Sequence, residues 1–225
     1  MPWELKRFHH SRQSHFVTFC CYHRQRRFAT DESRRVFESA LERVRRSYRL
    51  YIYGYVVMPE HVHLLLSEPQ PECGSTKADV GQANCASLKA DGGPLKPAFG
   101  LSGSHDWLSN PQRYTLADAL KSLKQGVARR LIGDDVHFWQ KRYYDFNVRD
   151  CPQFVEKLRY IHHNPVKRGL CARPEDWQWS SFRHYSTGSE GRVEIESEWT
   201  ARKRERAAGT LCPAVEPPHS SQRKA

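Results

Sequence analysis

Residues 50–66 read LYIYGYVVMPEHVHLLL, and this stretch decides the fold. Both halves consist mostly of β-branched, aromatic and aliphatic residues, which favour strands. Pro59 and Glu60 separate the halves, and a proline cannot donate a hydrogen bond to a strand ladder. The stretch therefore predicts a hairpin whose strands are residues 50–58 and 61–66, joined by a tight turn.

The second strand of this hairpin has two chemically different faces. His61 and His63 are two residues apart and project from one face, whereas Val62, Leu64 and Leu66 project from the other. We expect the aliphatic face to contact the core and the histidine face to lie on the outside. Two imidazoles at this spacing are suited to binding a divalent metal ion. The alternative is a pair of ordinary polar strand residues, because His-x-His alone is a weak signal.

Periodic apolar patterns predict five more elements around the hairpin. They are a strand at 15–22, a helix that begins after Thr30, a helix that begins after Thr115, a strand at 138–148 and a helix at 152–163. The last helix should end at Asn164, because Pro165 disfavours helical geometry in the residue before it. The order β-α-β-β-α-β followed by a helix predicts an α+β fold of the ferredoxin-like split type. In that fold an antiparallel sheet of four strands carries helices on one face.

Two segments fall outside these patterns. Residues 68–112 are rich in glycine, proline, serine and small polar residues without a period, so we interpret them as an inserted loop. Residues 187–225 are rich in Ser, Glu, Arg and Pro and are predicted to form a flexible polar tail. The predicted organisation is one domain at 1–186, interrupted by the insertion, and a tail.

The chain is basic, and its excess charge is concentrated in two segments. Against 36 Lys and Arg stand 25 Asp and Glu, for a formal net charge of +11. Residues 1–50 hold 12 basic and 5 acidic residues, and residues 113–186 hold 14 and 8. This distribution indicates binding to a phosphate backbone, although charge alone also suits a basic protein without a nucleic-acid partner. The candidate DNA-binding residues, some of which will only solvate their helices, are Arg34, Arg35, Arg45, Arg46, Lys121, Lys124, Arg129 and Arg130.

Composition excludes two other classes. No stretch approaches the ~20 apolar residues of a transmembrane helix, and the N-terminal residues lack an apolar signal region. We therefore expect a soluble, cytoplasmic protein without a membrane partner. The 7 cysteines include no CxxC pair, which argues against a disulfide framework or a structural zinc site.

The helix at 152–163 carries candidate reactive groups. At about 100° per residue, its large apolar residues share an arc that should be buried: Phe154, Val155, Leu158 and Ile161. Tyr160, His163 and Asn164 lie on the opposite side. Tyr160 and Asn164 are one turn apart, so a hydroxyl nucleophile and an amide oxygen could approach the same ion or phosphate. The alternative is a surface tyrosine beside an Asn-Pro pair that ends the helix.

Several motifs, taken in order, resemble those of one protein family. HVH at residues 61–63 is similar to the His-hydrophobic-His motif of the single-tyrosine HUH transposases. YIHHNPVK at 160–167 resembles the tyrosine helix of their REP-associated tyrosine transposase branch. FWQ and YYD within 138–145, and WSS at 179–181, also resemble that branch. The resemblance covers roughly residues 10–186, apart from the insertion, which is longer than the family leads us to expect.

The resemblance implies a metal-dependent strand transferase acting on DNA. It implies that His61 and His63 bind a divalent metal, that Asn164 is the third ligand, and that Tyr160 is the nucleophile. The expected ion is Mg²⁺ or Mn²⁺, because oxygen ligands suit the former and an imidazole pair favours the latter. Tyr160 would attack a phosphate and leave a 5′-phosphotyrosine and a free 3′-OH, with His163 or His162 as a candidate helper.

The resemblance also implies the substrate and leaves alternatives open. Single-stranded DNA with a hairpin or palindromic repeat is expected, and the family allows either a monomer or a homodimer. Trp139, Tyr143 and Tyr144 could stack bases, or could pack in the core and across strands. The alternative function is a non-catalytic nucleic-acid-binding protein derived from a transposase, which would use the same sheet and basic helices.

Overall fold

The computed structural model describes residues 13–70 and 114–207. The strands of this part are β1 (Ser14–Cys20), β2 (Ile52–Val57), β3 (His61–Leu66) and β4 (Tyr144–Val148). Its α-helices are α1 (Asp31–Tyr48), α2 (Leu116–Leu131), α3 (Cys151–Lys167), α4 (Phe182–Thr187) and α5 (Glu198–Ala207). Apart from residues 68–70, the predicted insertion lies outside the described residues.

The strands form one sheet of four strands in the order β2-β3-β1-β4, and every neighbouring pair is antiparallel. This order and the helices between the strands confirm the predicted α+β fold. The register sets Thr18 of β1 directly opposite His63 of β3, and Cys20 opposite His61. The polar faces of β1 and β3 therefore meet at the centre of the sheet.

Helices cover both faces of the sheet. On one face Val17, Phe19 and Val62 form a core with the apolar stripes of α1 and α2. On the other face Phe16 and Leu65 pack against α3. The prediction of helices on one face is correct for α1 and α2 and wrong for α3, which buries the second face because that face is also apolar.

Local chemistry explains where the first two helices begin. The Thr30 hydroxyl accepts a hydrogen bond from the Ser33 amide at 3.2 Å at the start of α1. Thr115 and Asp118 form the capping box predicted for α2, with the Thr115 amide donating to Asp118 Oδ2 at 2.9 Å.

The fourth strand is shorter than predicted. β4 begins at Tyr144 instead of Phe138, and upstream of it Trp139 makes only an isolated bridge to Cys21. Phe138 and Trp139 both pack against the core on the α1 and α2 side. Consecutive residues of a regular strand point to opposite faces, so this pair cannot continue the strand.

The third helix is longer than predicted. α3 continues through Asn164 and Pro165 to Lys167, and the amide of Arg168 donates to Asn164 O at 3.0 Å. A proline inside a helix removes one backbone donor and strains the preceding turn. Here Pro165 and Ile161 are both buried, and this packing favours continuation of the helix.

The predicted tail is partly folded. Val193 and Ile195 are buried in the core beneath α1 and α2, and the Glu196 amide donates to Ile52 O at 2.8 Å. The segment after α4 is therefore fixed to the edge of β2 and leads into α5. The prediction of a flexible tail from residue 187 is wrong up to residue 207, and 208–225 lies outside the described residues.

A buried ionic cluster closes the end of the sheet opposite the histidine pair. His15 is completely buried, with Nδ1 2.9 Å from Asp145 Oδ1 and Nε2 3.2 Å from Glu68 Oε1. Burial acts to lower the pKa of His15, but the hydrogen bonds and charges of Asp145 and Glu68 outweigh it, so the pKa is raised. We call this the His15 cluster.

Candidate active site

The two histidines of β3 lie together beneath α3. His61 and His63 project from the same face, as predicted, but they are only 3% and 4% exposed. The prediction that this face lies on the outside is wrong, because α3 and the ring of Phe16, stacked 5.6 Å from His63, cover it. The pair therefore forms the floor of a pocket.

The ring nitrogens of the histidine pair have distinct environments. Nε2 of His61 and Nε2 of His63 face each other at 3.1 Å. On the other side of each ring, Thr18 Oγ1 lies 2.7 Å from His63 Nδ1, and Glu60 Oε1 lies 3.2 Å from His61 Nδ1. Thr18 is thus a hydrogen-bond partner of His63 Nδ1, whereas His61 Nδ1 lies near Glu60 without a hydrogen bond among the described residues.

α3 brings two more predicted residues to the same point. Asn164 Nδ2 lies 3.2 Å from His63 Nε2, and Asn164 Oδ1 is buried without a hydrogen-bond partner among the described residues. The Tyr160 ring packs edge-on against His63, with centroids 5.2 Å apart, and 38% of Tyr160 is exposed. Tyr160 and Asn164 therefore both reach the histidine pair, as their spacing predicted.

The predicted faces of α3 need correction. Asn164 is 3% exposed and lies on the buried side, whereas Val155, predicted to be buried, is 43% exposed. Ile161 and Pro165 centre the buried arc, and Asn164 is next to Ile161 on the helix surface. His162 is also buried, but its Nε2 is 2.9 Å from Ser181 Oγ, so it is not placed to assist Tyr160.

Burial keeps the histidines in the form that ligates a metal. Desolvation, together with His61 and Arg168, lowers the pKa of His63 to about 3. Desolvation also lowers the pKa of His61, although Glu60 opposes the shift. Both rings are therefore neutral near pH 7, with a lone pair available on one nitrogen each.

A basic pocket opens above the histidine pair. It has a volume of about 290 Å³, and its lining includes the cations Arg24, Lys157 and Arg168 beside Tyr160 and Tyr144. The sequence analysis did not identify these cations. One signal was available for Lys157, which lies three residues before Tyr160 and so shares its side of the helix. Arg24 follows β1 in a left-handed backbone conformation (φ 54°) that only the folded chain reveals.

Two of the predicted DNA-binding residues are engaged within the protein. Arg34 is 8% exposed, donates to Asp31 Oδ1 at 2.9 Å, and stacks over the rings of Trp177 and Trp179. Arg45 has a side chain only 14% exposed and forms ion pairs with Glu42 and Glu194. Their prediction as DNA contacts is wrong, because both side chains hold α1 to neighbouring segments.

The other predicted DNA-binding residues are accessible but do not line the pocket. Arg35, Arg46, Lys121, Arg129 and Arg130 are exposed or nearly so, and Lys124 is half-buried. All six lie on α1 or α2, which cover the face of the sheet opposite the histidine pair. The structure therefore does not bring these residues together with Tyr160.

Comparisons with known proteins agree with this arrangement. Residues 9–77 match the family model described as "Transposase IS200 like". The chain is 25% identical over 168 residues to a Haemophilus influenzae protein named for the REP-associated tyrosine transposases, covering 75% of this chain and 78% of that protein. It is 22% identical over 179 residues to the REP-associated tyrosine transposase of Escherichia coli, covering 80% and 82%.

A solved structure shares the fold. A REP-associated tyrosine transposase bound to a REP hairpin matches with a TM-score of 0.54 at 19% identity, covering 86% of this chain and 92% of that one. The matching family model and both relatives are transposases, so the class of protein that this chain resembles is that of the tyrosine transposases. Within that class both relatives carry the name REP-associated tyrosine transposase, so the resemblance recognised from the sequence is confirmed. No helix of the described residues is long and apolar enough to cross a membrane.

Proposed function

We propose that this protein cleaves and rejoins single-stranded DNA through Tyr160, with a divalent metal held by His61, His63 and Asn164. The observation that carries the proposal is the convergence of these four side chains, from β3 and α3, on one pocket. Two neutral imidazoles, an amide and a nearby accessible tyrosine hydroxyl are the groups that metal-assisted phosphodiester transfer needs.

The donor set fits a metal ion. With the His63 proton on Nδ1, directed at Thr18 Oγ1, the Nε2 atom of His63 presents a lone pair toward His61 Nε2 at 3.1 Å. A His61 proton on Nδ1, which lies 3.2 Å from Glu60 Oε1, would leave the Nε2 atom of His61 free as well, and a cation could then bind both Nε2 atoms. A half-turn of the Asn164 amide would add Oδ1, which has no hydrogen-bond partner among the described residues. The described residues contain no cluster of three His, Cys, Asp or Glu side chains for a metal, so the third protein ligand would be this amide.

The set of ligands favours Mg²⁺ or Mn²⁺. An amide oxygen and water suit both ions, and the imidazole pair favours Mn²⁺. A bound ion would polarise the scissile phosphate and offset the negative charge that develops during transfer. Arg24, Lys157 and Arg168, which line the pocket, would bind the nonbridging phosphate oxygens and orient them.

Tyr160 performs the transfer in this proposal. Its oxygen attacks phosphorus and loses its proton, the bond from phosphorus to the 3′ oxygen breaks, and that oxygen leaves as a 3′-OH after gaining a proton. The 5′ phosphate stays linked to Tyr160 as a phosphotyrosine, which conserves the phosphodiester for rejoining when a 3′-OH attacks it. Tyr160 is 38% exposed, so the accessible phosphate of a flexible single strand is the proposed target.

Hairpin DNA is the proposed substrate. A protein of the same fold and family has been solved with a REP hairpin, and the curated relatives are named for such repeats. A hairpin would place an unpaired flanking phosphate in the pocket while its duplex stays outside.

A covalent adduct tests the proposal. The full chain is incubated with labelled single-stranded hairpins and Mn²⁺ or Mg²⁺, and a denaturing gel separates protein linked to DNA. Wild type should form an adduct that Tyr160→Phe and removal of metal both abolish. Tyr144→Phe is the matched control, because Tyr144 lines the same pocket and should leave the adduct intact. DNA binding without any adduct would support the non-catalytic alternative instead.

A further inference from the structure

A second groove lies between α2 and the segment that leads into β4. It has a volume of about 350 Å³, and its polar and aromatic lining residues are Lys121, Lys124, Gln125, Trp139, Lys141 and Tyr143. The proposed cleavage chemistry uses none of these residues. Their combination of lysines and aromatic rings nevertheless requires an explanation.

The aromatic side of the groove is rigid. Trp139 Nε1 donates to the backbone oxygen of Lys124 at 2.8 Å, which fixes the indole against α2. Lys124 Nζ lies 6.0 Å from the centre of that ring and donates to Gln140 O at 3.0 Å. Trp139 and Tyr143 are both only half-buried. Fixed, partly exposed aromatic faces are platforms on which nucleic-acid bases stack regardless of sequence.

The rim of the groove is positively charged. Lys121 and Lys141 are exposed and have no ion-pair partner among the described residues. No acidic side chain of the described chain lines this groove. Some other surface cations, such as Arg35 and Arg46, have an acidic neighbour. The charges of Lys121 and Lys141 beside aromatic rings are complementary to phosphates joined to bases.

The groove adjoins the candidate active site. The Gln140 amide donates to Cys20 O at 2.9 Å, and Cys20 lines the pocket above the histidine pair. Lys124 Nζ in turn donates to Gln140 O at 3.0 Å, so Gln140 links a lysine of the groove to the end of β1. Pocket and groove therefore lie on either side of this backbone contact.

We infer that this groove binds single-stranded DNA flanking the cleaved phosphate, with a base on Trp139 or Tyr143 and phosphates at Lys121 and Lys141. The inference rests on the proposed function for the position of the cleaved phosphate. It adds a second contact that the pocket itself does not provide. The groove is small and shallow, which suits one or two unpaired nucleotides and not a duplex.

Binding measurements on substrates of two lengths test this inference. Fluorescence anisotropy compares a minimal hairpin with the same hairpin carrying a short single-stranded extension on its 5′ or 3′ side. Wild type should bind one extended form more tightly, and the double variant Lys121→Gln, Lys141→Gln should lose that gain. The slope of log K against log salt should fall by about 1.4, since each phosphate contact on a single strand contributes about 0.7. The Tyr160 adduct on the minimal hairpin should be unchanged.

Two controls distinguish binding in the groove from a general effect of positive charge on DNA affinity. Arg129→Gln, Arg130→Gln removes the same charge from exposed positions of α2 outside the groove and should keep the gain from the extension. A 5-iododeoxyuridine in the extension should crosslink to Trp139 or Tyr143 in the unmodified protein, as mapped by mass spectrometry.

Each outcome is decisive. Equal losses in the two double variants, no gain from either extension, or crosslinks only elsewhere would overturn the inference. Competition by an acidic peptide as strong as that by DNA would also overturn it. Wild-type protein that gains affinity from the extension but forms no adduct would refute the proposed cleavage and leave the groove as a DNA contact.

Discussion

Removal of the Thr18 hydroxyl should weaken metal binding without unfolding the protein. Thr18 Oγ1 lies 2.7 Å from His63 Nδ1 and opposite it in the β1–β3 register. Because His63 is neutral, it carries one ring proton, and a proton on Nδ1 leaves Nε2 free to bind a metal. Thr18→Val keeps the side-chain shape but removes the acceptor, so the proton can move to Nε2.

The expected size of this effect follows from the role of Thr18 beside a ligand. Substitution of a residue that orients a metal-binding histidine typically weakens affinity 10- to 100-fold, or about 1.4 to 2.7 kcal/mol. Isothermal titration of metal-free protein with Mn²⁺ should give that ratio between wild type and Thr18→Val. Thr18→Ser retains the hydroxyl and should recover most of the affinity.

The tautomer of His63 shows whether the loss of metal affinity comes from a moved ring proton. Long-range ¹H–¹⁵N NMR of metal-free protein reports which nitrogen of His63 carries the proton. It should assign Nδ1–H in wild type and Thr18→Ser and a shift toward Nε2–H in Thr18→Val. Affinity of Thr18→Val within twofold of wild type, with an unchanged tautomer, would refute this reasoning. Absence of metal binding by wild type would instead refute the proposed function.

Three further substitutions test the packing around the site. His15→Gln should remove a stabilising contribution that is full below about pH 6.5 and is lost as pH rises through the raised pKa of His15. In urea unfolding, the difference in unfolding free energy between wild type and His15→Gln should be smaller at about pH 9 than at about pH 6. A difference that grows with pH would contradict this prediction. Ile195→Ala should cost about 2 to 5 kcal/mol of unfolding free energy in urea, because Ile195 is buried, whereas a flexible tail predicts no change. Arg34→Gln should lower the unfolding free energy by about 1 to 3 kcal/mol, because Arg34 is buried. The control Arg35→Gln, at an exposed position, should change it by less than about 0.5 kcal/mol. Comparable melting curves for the two variants would argue against a structural role for Arg34.

The sequence predicts those features that depend on a single element. Alternation along β3 identified the histidine face, and the Thr115 capping box identified the start of α2. The spacing of Tyr160 and Asn164 identified their joint approach to the site. Each of these rests on a pattern within a few residues of one strand or helix, which the sequence carries directly.

Features that depend on how elements pack were predicted less well. Asn164 is three residues after Ile161 and so lies about 60° from it on the helix, near the buried arc; its polarity and the following proline suggested the opposite side. Arg34 and Arg45 were assigned to DNA from charge alone, which does not reveal acidic or aromatic partners distant in sequence, such as Glu194 and Trp177.

The position of the basic helices was predictable in principle. Val62 and its aliphatic neighbours on β3 were expected to face the core, and right-handed crossovers place α1 and α2 on that same side. The histidines point the other way, so residues of α1 and α2 could not have lined their pocket. The two expectations together point instead to α3 and to the end of β1, where Lys157 and Arg24 lie.

The direction of the Tyr160 side chain depends on where α3 lies. The Tyr160 hydroxyl has no hydrogen-bond partner among the described residues, so only contacts of the ring hold this side chain. The position of α3 is determined by contacts outside the candidate active site. Gly54 leaves room for Leu158, since a Cβ on Gly54 would lie 2.6 Å from Leu158 Cδ1. His162 meets Ser181, which in turn accepts from the Tyr55 amide at 3.0 Å. The nucleophile and the Asn164 amide therefore move as one unit with α3, so a shift of this helix against β2 would disturb metal binding and tyrosine attack together.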